Sequence, residues 1–273
     1  MKKEILGVFF TAHVSLNIWE KAGLFDREKR IYEDLLKQDF ARIFWFTYGK
    51  DDRKIAKILQ NEGRLSEKIV VIPKPACLPA RTGSLMYSIL LPIIRGRLLN
   101  QCAVYKTNQI IGSWTAVLCK GLFRKKLVVR CGYLYSLFNR YKNNKVKYWF
   151  GTFIEALAFR CADRVVVSAE YDKRHVQKKY AKKVEFIPNY VDTSRFAPNK
   201  SAHRKDILFV GRLDHQKNVM NLIKAIAKTP YRLDIYGDGE LEIQAKKRIH
   251  DLHLKDRITI QGPVRHALLP EIY

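Results

Sequence analysis

Acidic residues are scarce in this 273-residue chain, with 26 Asp and Glu against 51 Lys and Arg and a net charge of +25. Such an imbalance predicts attraction to a polyanion or to an anionic membrane face. No helix-turn-helix, zinc-finger or RNP-type pattern accompanies the charge, so nucleic acid is not the expected partner. No Cys-x-x-Cys pair occurs among Cys77, Cys102, Cys119, Cys131 and Cys161. That spacing argues against a zinc cluster or a dithiol redox motif, and the five read as reduced core thiols. No Gly-x-Gly-x-x-Gly follows the first apolar run, so the dinucleotide fingerprint is absent. The stretch Ser84 to Leu99 is broken by Pro92 and falls short of the about 20 apolar residues that span a bilayer. The start, Met1-Lys2-Lys3-Glu4-Ile5, leads straight into a strand pattern with no signal-like apolar region, and the expected compartment is the cytosol. Internal repeats and low-complexity tracts are also missing.

What is present reads as a soluble globular protein: 47% hydrophobic and 28% charged residues, enough chain for one or two domains. Seven apolar, β-branched runs punctuate the first 190 residues, at Ile5–Phe10, Arg42–Thr47, Ile69–Pro73, Ala103–Thr107, Leu127–Arg130, Val165–Ser168 and Val184–Pro188. Between them, Arg27–Gln38, Arg53–Asn61, Trp114–Phe123 and Lys145–Arg160 carry helical spacing. Strand and helix alternating this way predict a doubly wound parallel sheet. The polar stretch 197–205, containing Pro198, reads as a linker between a domain at 1–196 and a second α/β set at 206–273. Strands are expected there near Ile207, Leu233 and Ile258, about half of a second domain.

The run Ile207-Leu208-Phe209-Val210 ends at Gly211, followed by Arg212 and Lys217 and then by the amphipathic pattern Val219 to Ile226. A helix start presents N–H groups and a partial positive charge, and two cations beside it suit a diphosphate. The alternative is a surface loop with solvated cations. Gly237-Asp238-Gly239 marks a tight turn after the next strand. Arg81, Arg95 and Arg97, with Arg124-Lys125-Lys126 and the Lys142 to Lys147 cluster, flank the apolar Ser84–Leu99 segment and form a basic face suited to anionic lipid. The apolar residues themselves are expected to pack in the core, a membrane-dipping helix being the alternative.

Upstream of this corner stands Ile187-Pro188-Asn189-Tyr190-Val191-Asp192-Thr193-Ser194-Arg195-Phe196; downstream come Leu233 to Gly239, Ile258 to Gly262 and Leu269-Pro270-Glu271-Ile272-Tyr273. In this order the segments resemble the glycosyltransferase family 4 group of GT-B enzymes, strongly from about Asp163 to Tyr273 and more loosely before it. The resemblance implies two Rossmann-like domains facing a cleft, the second one incomplete here, because the family's following strand and Glu-x7-Glu segment are not in the sequence. The chain is then a fragment or a truncated product. It implies transfer of a sugar from a nucleotide-diphosphate sugar to a glycan or lipid-linked glycan acceptor, as in bacterial capsule, exopolysaccharide or lipopolysaccharide synthesis. Configuration would be retained, without a metal or other cofactor. By the same comparison Gly211, Arg212, Lys217, Gly237, Asp238 and Gly239 lie at the donor diphosphate.

On the acceptor side, the loop after the first strand carries Trp19, Gly23, Arg27 and Glu28 where many relatives have a double glycine, and these are candidate substrate contacts. The alternative is that Trp19 packs the loop and Asp26 caps the helix. Arg130 and Tyr133 stand where relatives often have a histidine. No catalytic base is assigned; His13 and His215 are the histidines best placed, and a lone histidine at a strand end is more often structural. The competing reading of the whole chain is a non-catalytic relative that binds nucleotide or an anionic membrane face without transfer.

Overall fold

The computed structural model describes residues 4–79, 82–180, 183–191, 193, 195–197, 206–265 and 268–273, apart from the side chain of Tyr141. The chain divides into two compact units, residues 1–190 and 191–273. The composition-based linker lies almost wholly outside the described residues, at 198–205.

The first unit runs β1 (Glu4–Phe9), α1 (Leu16–Lys21), α2 (Phe25–Gln38), β2 (Phe40–Thr47), α3 (Asp52–Asn61), β3 (Ile69–Pro73), α4 (Gly83–Ile94), α5 (Gly96–Gln101), β4 (Val104–Thr107), α6 (Ser113–Phe123), β5 (Lys126–Cys131), α7 (Tyr135–Tyr141), α8 (Lys145–Cys161), β6 (Arg164–Val167), α9 (Glu170–Tyr180) and β7 (Val184–Phe186). Its seven strands are all parallel and ordered β3-β2-β1-β4-β5-β6-β7. All seven apolar runs of the sequence are strands. The order reverses at β1, which pairs with β2 on one side and β4 on the other. Such a switch point opens a crevice beyond the strand C-termini, where open α/β sheets bind ligands.

Packing explains the local choices. Trp45, Tyr32, Phe10 and Phe46 are among the largest fully buried side chains; Trp45 meets Phe10 and, edge-on at 5.3 Å, Tyr32, while Phe46 on the opposite face of β2 packs on Phe9 at 5.3 Å. Burying rings of this size contributes about 2–3 kcal/mol each. On β5 and β6 burial alternates. Val129, Cys131, Val165 and Val167 are fully buried, while Val128, Arg130 and Val166 on the other face are half-buried. A buried parallel strand is normally covered on both faces, so this sheet face has thinner cover than its partner. Among the buried polar groups, Glu155 of α8 accepts from both the Ser136 amide (2.8 Å) and its hydroxyl (2.6 Å), tying α7 to α8. Burial raises its pKa, opposed by those two bonds.

Pro92 does not break the apolar segment as expected. The helix α4 continues through it to Ile94, and the break falls at Arg95 and Gly96, where α5 begins.

The second unit runs β8 (Ile207–Val210), α10 (Val219–Ile226), β9 (Leu233–Tyr236), α11 (Glu242–Asp251), β10 (Ile258–Gly262) and α12 (Leu269–Ile272). Its parallel sheet is ordered β10-β9-β8, with the three strands where the sequence predicts them. An aliphatic core that includes Leu213, Ile223, Leu233, Ile235 and Ile249 fills the space between sheet and helices. The rings of Phe196 and Tyr273, far apart in sequence, meet edge to face at 6.0 Å.

Candidate functional site

In the second unit the C-terminal ends of the three strands converge. The β8–β9 ladder continues past both strands: the Gly211 amide donates to Tyr236 O at 2.9 Å and the Leu213 amide to Asp238 O at 2.7 Å. Leu213 O accepts in turn from the Leu241 amide at 2.9 Å, and Gly262 O accepts from the Gly237 amide at 2.8 Å. This zipping explains the glycines. A Cβ on Gly237 would stand 1.9 Å from Gly211 O, and one on Gly239 would stand 2.5 Å from Leu213 O. Both residues also have positive φ, 147° and 154°, which side-chain-bearing residues rarely adopt.

On this rigid platform the turn from Gly211 to Asn218 holds two exposed cations. The Arg212 guanidinium, 63% exposed, lies 2.9 Å from the Asp214 carboxylate. The other oxygen of Asp214 accepts from the Lys217 amide at 3.0 Å. Asp214, itself buried, therefore clamps the turn by holding the Arg212 guanidinium and the Lys217 backbone amide at once. Sequence reasoning named both cations and missed the carboxylate that organises them; an Asp three residues before a Lys in a turn is the signal. Helix α10 starts at Val219 after Asn218, which sits at φ 57° and makes no side-chain cap bond. The amides of Asn221 and Leu222 in the first turn of α10 donate to Asn218 O, at 3.1 and 3.3 Å. His215 is exposed on the same turn.

In the first unit a groove of about 650 Å³ runs along the thinly covered sheet face beside α2. Its floor is apolar, with Leu6, Val104, Val128 and Val166, and Ile31 and Leu35 of α2 form a wall. One end is charged. Arg27 pairs with Glu28 at 2.7 Å, Glu28 faces Arg130 at 3.9 Å, and Arg130 donates to Asn189 Oδ1 at 2.9 Å. Lys106 of β4 reaches the Tyr32 hydroxyl at 3.2 Å in the same place. Burial, reinforced by the positive charge of Arg130 and opposed by Glu28, lowers the Lys106 ammonium pKa to about 7. Burial together with Glu28 pushes the Tyr32 phenol up.

The structure thus brings Arg27, Glu28 and Arg130 together and separates the other candidates from them. Trp19 is only 4% exposed and stacks on Phe10 at 4.3 Å, so it packs the loop from inside and is not a contact residue. Gly23 forms the turn between α1 and α2 at φ 65°. Asp26 does not cap α2, whose first turn it occupies; it pairs with Arg64 and Lys29. Tyr133 lies outside the groove, edge-on to Phe138 at 5.7 Å. His13, at φ 67°, stacks on Tyr48 at the switch-point loop. Lys106 was missed by sequence reasoning, although a lysine inside the run Ala103–Thr107 is the signal for a half-buried charge.

Two parallel-sheet units of this kind constitute a Rossmann-like α/β fold of the GT-B type. The same architecture is seen in the crystal structure of Anabaena HepE in complex with UDP and glucose, with a TM-score of 0.67 at 16% identity over 98% of this chain and 71% of that one. Residues 191–273, the second unit, match the family described as Glycosyl transferases group 1. The amylovoran biosynthesis glycosyltransferase AmsD of Erwinia amylovora is 27% identical over 122 residues, 40% of this chain and 34% of its own length. A Campylobacter jejuni alpha-1,4-N-acetyl-D-galactosaminyltransferase, whose name gives an undecaprenol-linked glycan as its substrate, is 29% identical over 119 residues, 41% of this chain and 32% of its own length. The matched stretches thus span about a third of the curated relatives.

Proposed function

We propose that this chain transfers a sugar from a nucleotide-diphosphate sugar to a glycan or lipid-linked glycan acceptor in bacterial surface-polysaccharide synthesis, with retention and without a metal. The observation that carries the reading is the Asp214-clamped turn, which bears the exposed Arg212 and Lys217 and lies between the glycine-zipped strand ends and the start of α10. Two cations and a helix start complement a diphosphate. As the bond from the sugar C1 to the diphosphate oxygen breaks, negative charge grows on that oxygen, and fixed cations stabilise it without reorganising. The acceptor hydroxyl oxygen bonds to C1, and its proton passes to the departing phosphate oxygen. UDP is the first nucleotide to try, because HepE was crystallised with it. The group 1 match and the two transferase relatives support the reaction class.

The test is UDP binding by calorimetry, together with turnover of UDP-sugars, in wild type and in Arg212→Ala and Lys217→Ala. Each substitution is expected to lower turnover by about 10² to 10³ and to weaken UDP binding. Turnover within a few-fold of wild type in both variants would overturn the assignment.

A further inference from the structure

Helices α4, α6 and α8 are neighbours on one face of the first unit, α6 packing against α4 on one side and α8 on the other. Each buries one apolar stripe and presents a second to solvent. On α4 the outward stripe is Leu85, Ile89 and Ile93, spaced i, i+4, i+8, with Ile93 80% exposed. On α6 it is Leu118 and Leu122, at i and i+4. On α8 it is Val146, Trp149 and Phe153, with Trp149 68% exposed, opposite the buried row Ile154, Glu155 and Ala158. A helix that is apolar all round is normally buried. Three adjacent ones with exposed apolar stripes form a patch of the kind that marks an interaction surface.

Charge decides the occupant. Between Glu67 and Asp163 the sequence has sixteen Lys and Arg and a single carboxylate, Glu155, which is buried against Ser136. The cations at the helix ends, Arg97, Arg124, Lys145 and Lys147, are exposed. A symmetric contact between two copies would bring the same cation-ringed patch against itself, with no exposed carboxylate in the segment to answer the charge. A bilayer surface answers both features at once. Anionic headgroups meet the rim, and the acyl boundary takes the isoleucines, leucines and aromatic rings, tryptophan being favoured at that depth. No helix among the described residues is long and apolar enough to cross a membrane, so the contact is interfacial. We propose that the α4–α6–α8 face docks this protein onto an anionic lipid bilayer.

The experiment is co-sedimentation with phosphatidylcholine vesicles, with and without phosphatidylglycerol, at low and high salt, while following tryptophan fluorescence. Binding is expected only with phosphatidylglycerol, weakening with salt, with a blue shift contributed by Trp149. The double variants Trp149→Ser with Phe153→Ser, and Lys145→Glu with Lys147→Glu, should each weaken partitioning by about tenfold or more. Their side chains point outward, so the melting temperature should hold. If either variant fails to fold, quenching of the wild-type fluorescence by brominated lipid decides the matter, quenching supporting the proposal and its absence overturning it. The proposal also fails if wild type does not bind at low salt, binds both vesicle types equally, or binds undiminished in both variants. A dimer in solution that Trp149→Ser with Phe153→Ser dissolves would instead make the face a contact between two copies.

Discussion

A side chain at position 237 would have to displace the carbonyl of Gly211, a residue whose own amide is held in the strand-end ladder. Gly237→Ala is therefore expected to destabilise the second unit by about 2–4 kcal/mol, combining a clash with a strained φ. Gly63→Ala is the control: it also has positive φ, 67°, but faces open space, and should cost about 1 kcal/mol. Urea denaturation of both variants checks the difference. Lys106 carries a pH signature. Its pKa falls from 10.5 to about 7 on folding, so between those values the unfolded chain binds more protons and stability rises with pH. The penalty for the buried charge is fully present below pH 7. In Lys106→Met the rise in unfolding free energy between pH 7 and pH 9 attributable to this group should vanish, as denaturant midpoints at the two pH values would reveal. Residues of this sort mark the boundary of what sequence discloses. Arg212 and Lys217 stand out because a glycine and a helix pattern frame them. Trp19 looked like a contact because its loop follows a strand, yet the loop folds inward and stacks the indole on Phe10.

Among the elements, α10 shows how a terminus is finished from a distance in sequence. Arg257, just before β10, donates to Ile226 O at 2.6 Å and Thr229 O at 2.7 Å, satisfying carbonyls at the C-terminal end of α10 with a positive charge. Arg257→Ala should lower the stability of the second unit by about 1–2 kcal/mol, while Arg257→Lys, which cannot fork across two carbonyls, should recover only part of it. Thermal melts of the two variants measure this. The strands were legible because buried parallel strands are short, continuous apolar runs, and all ten runs read this way form strands. Helices α2, α3, α6, α8 and α10 were legible from their spacing. Short helices such as α1 and α7 were not, since six or seven residues hold too little periodicity, and α1 depends on Ser15 capping the Ile18 amide. The apolar segment after Ser84 was open to several readings because a helix that is apolar on every side carries no direction.

At the scale of the molecule, the two units have separate cores. The first is built around large aromatics and a seven-stranded sheet, and the second is a smaller aliphatic core under three strands. Small cores leave little margin. Calorimetry is expected to resolve two transitions, the lower belonging to the second unit. Arg257→Ala and Gly237→Ala should move that one alone, and a single transition shifted as a whole by either variant would show that the cores melt as one.

The glycine zipper between the β8 and β9 loops has a kinetic meaning as well. Because each loop supplies the hydrogen-bond partners of the other, neither can open by itself. The amides of Gly211, Leu213 and Leu241 should therefore exchange with deuterium only when the whole second unit unfolds, as slowly as those at the centre of β9, even though they sit in loops beside exposed cations. A surface turn with the exchange rate of a core strand keeps its charges in place between one encounter with a ligand and the next.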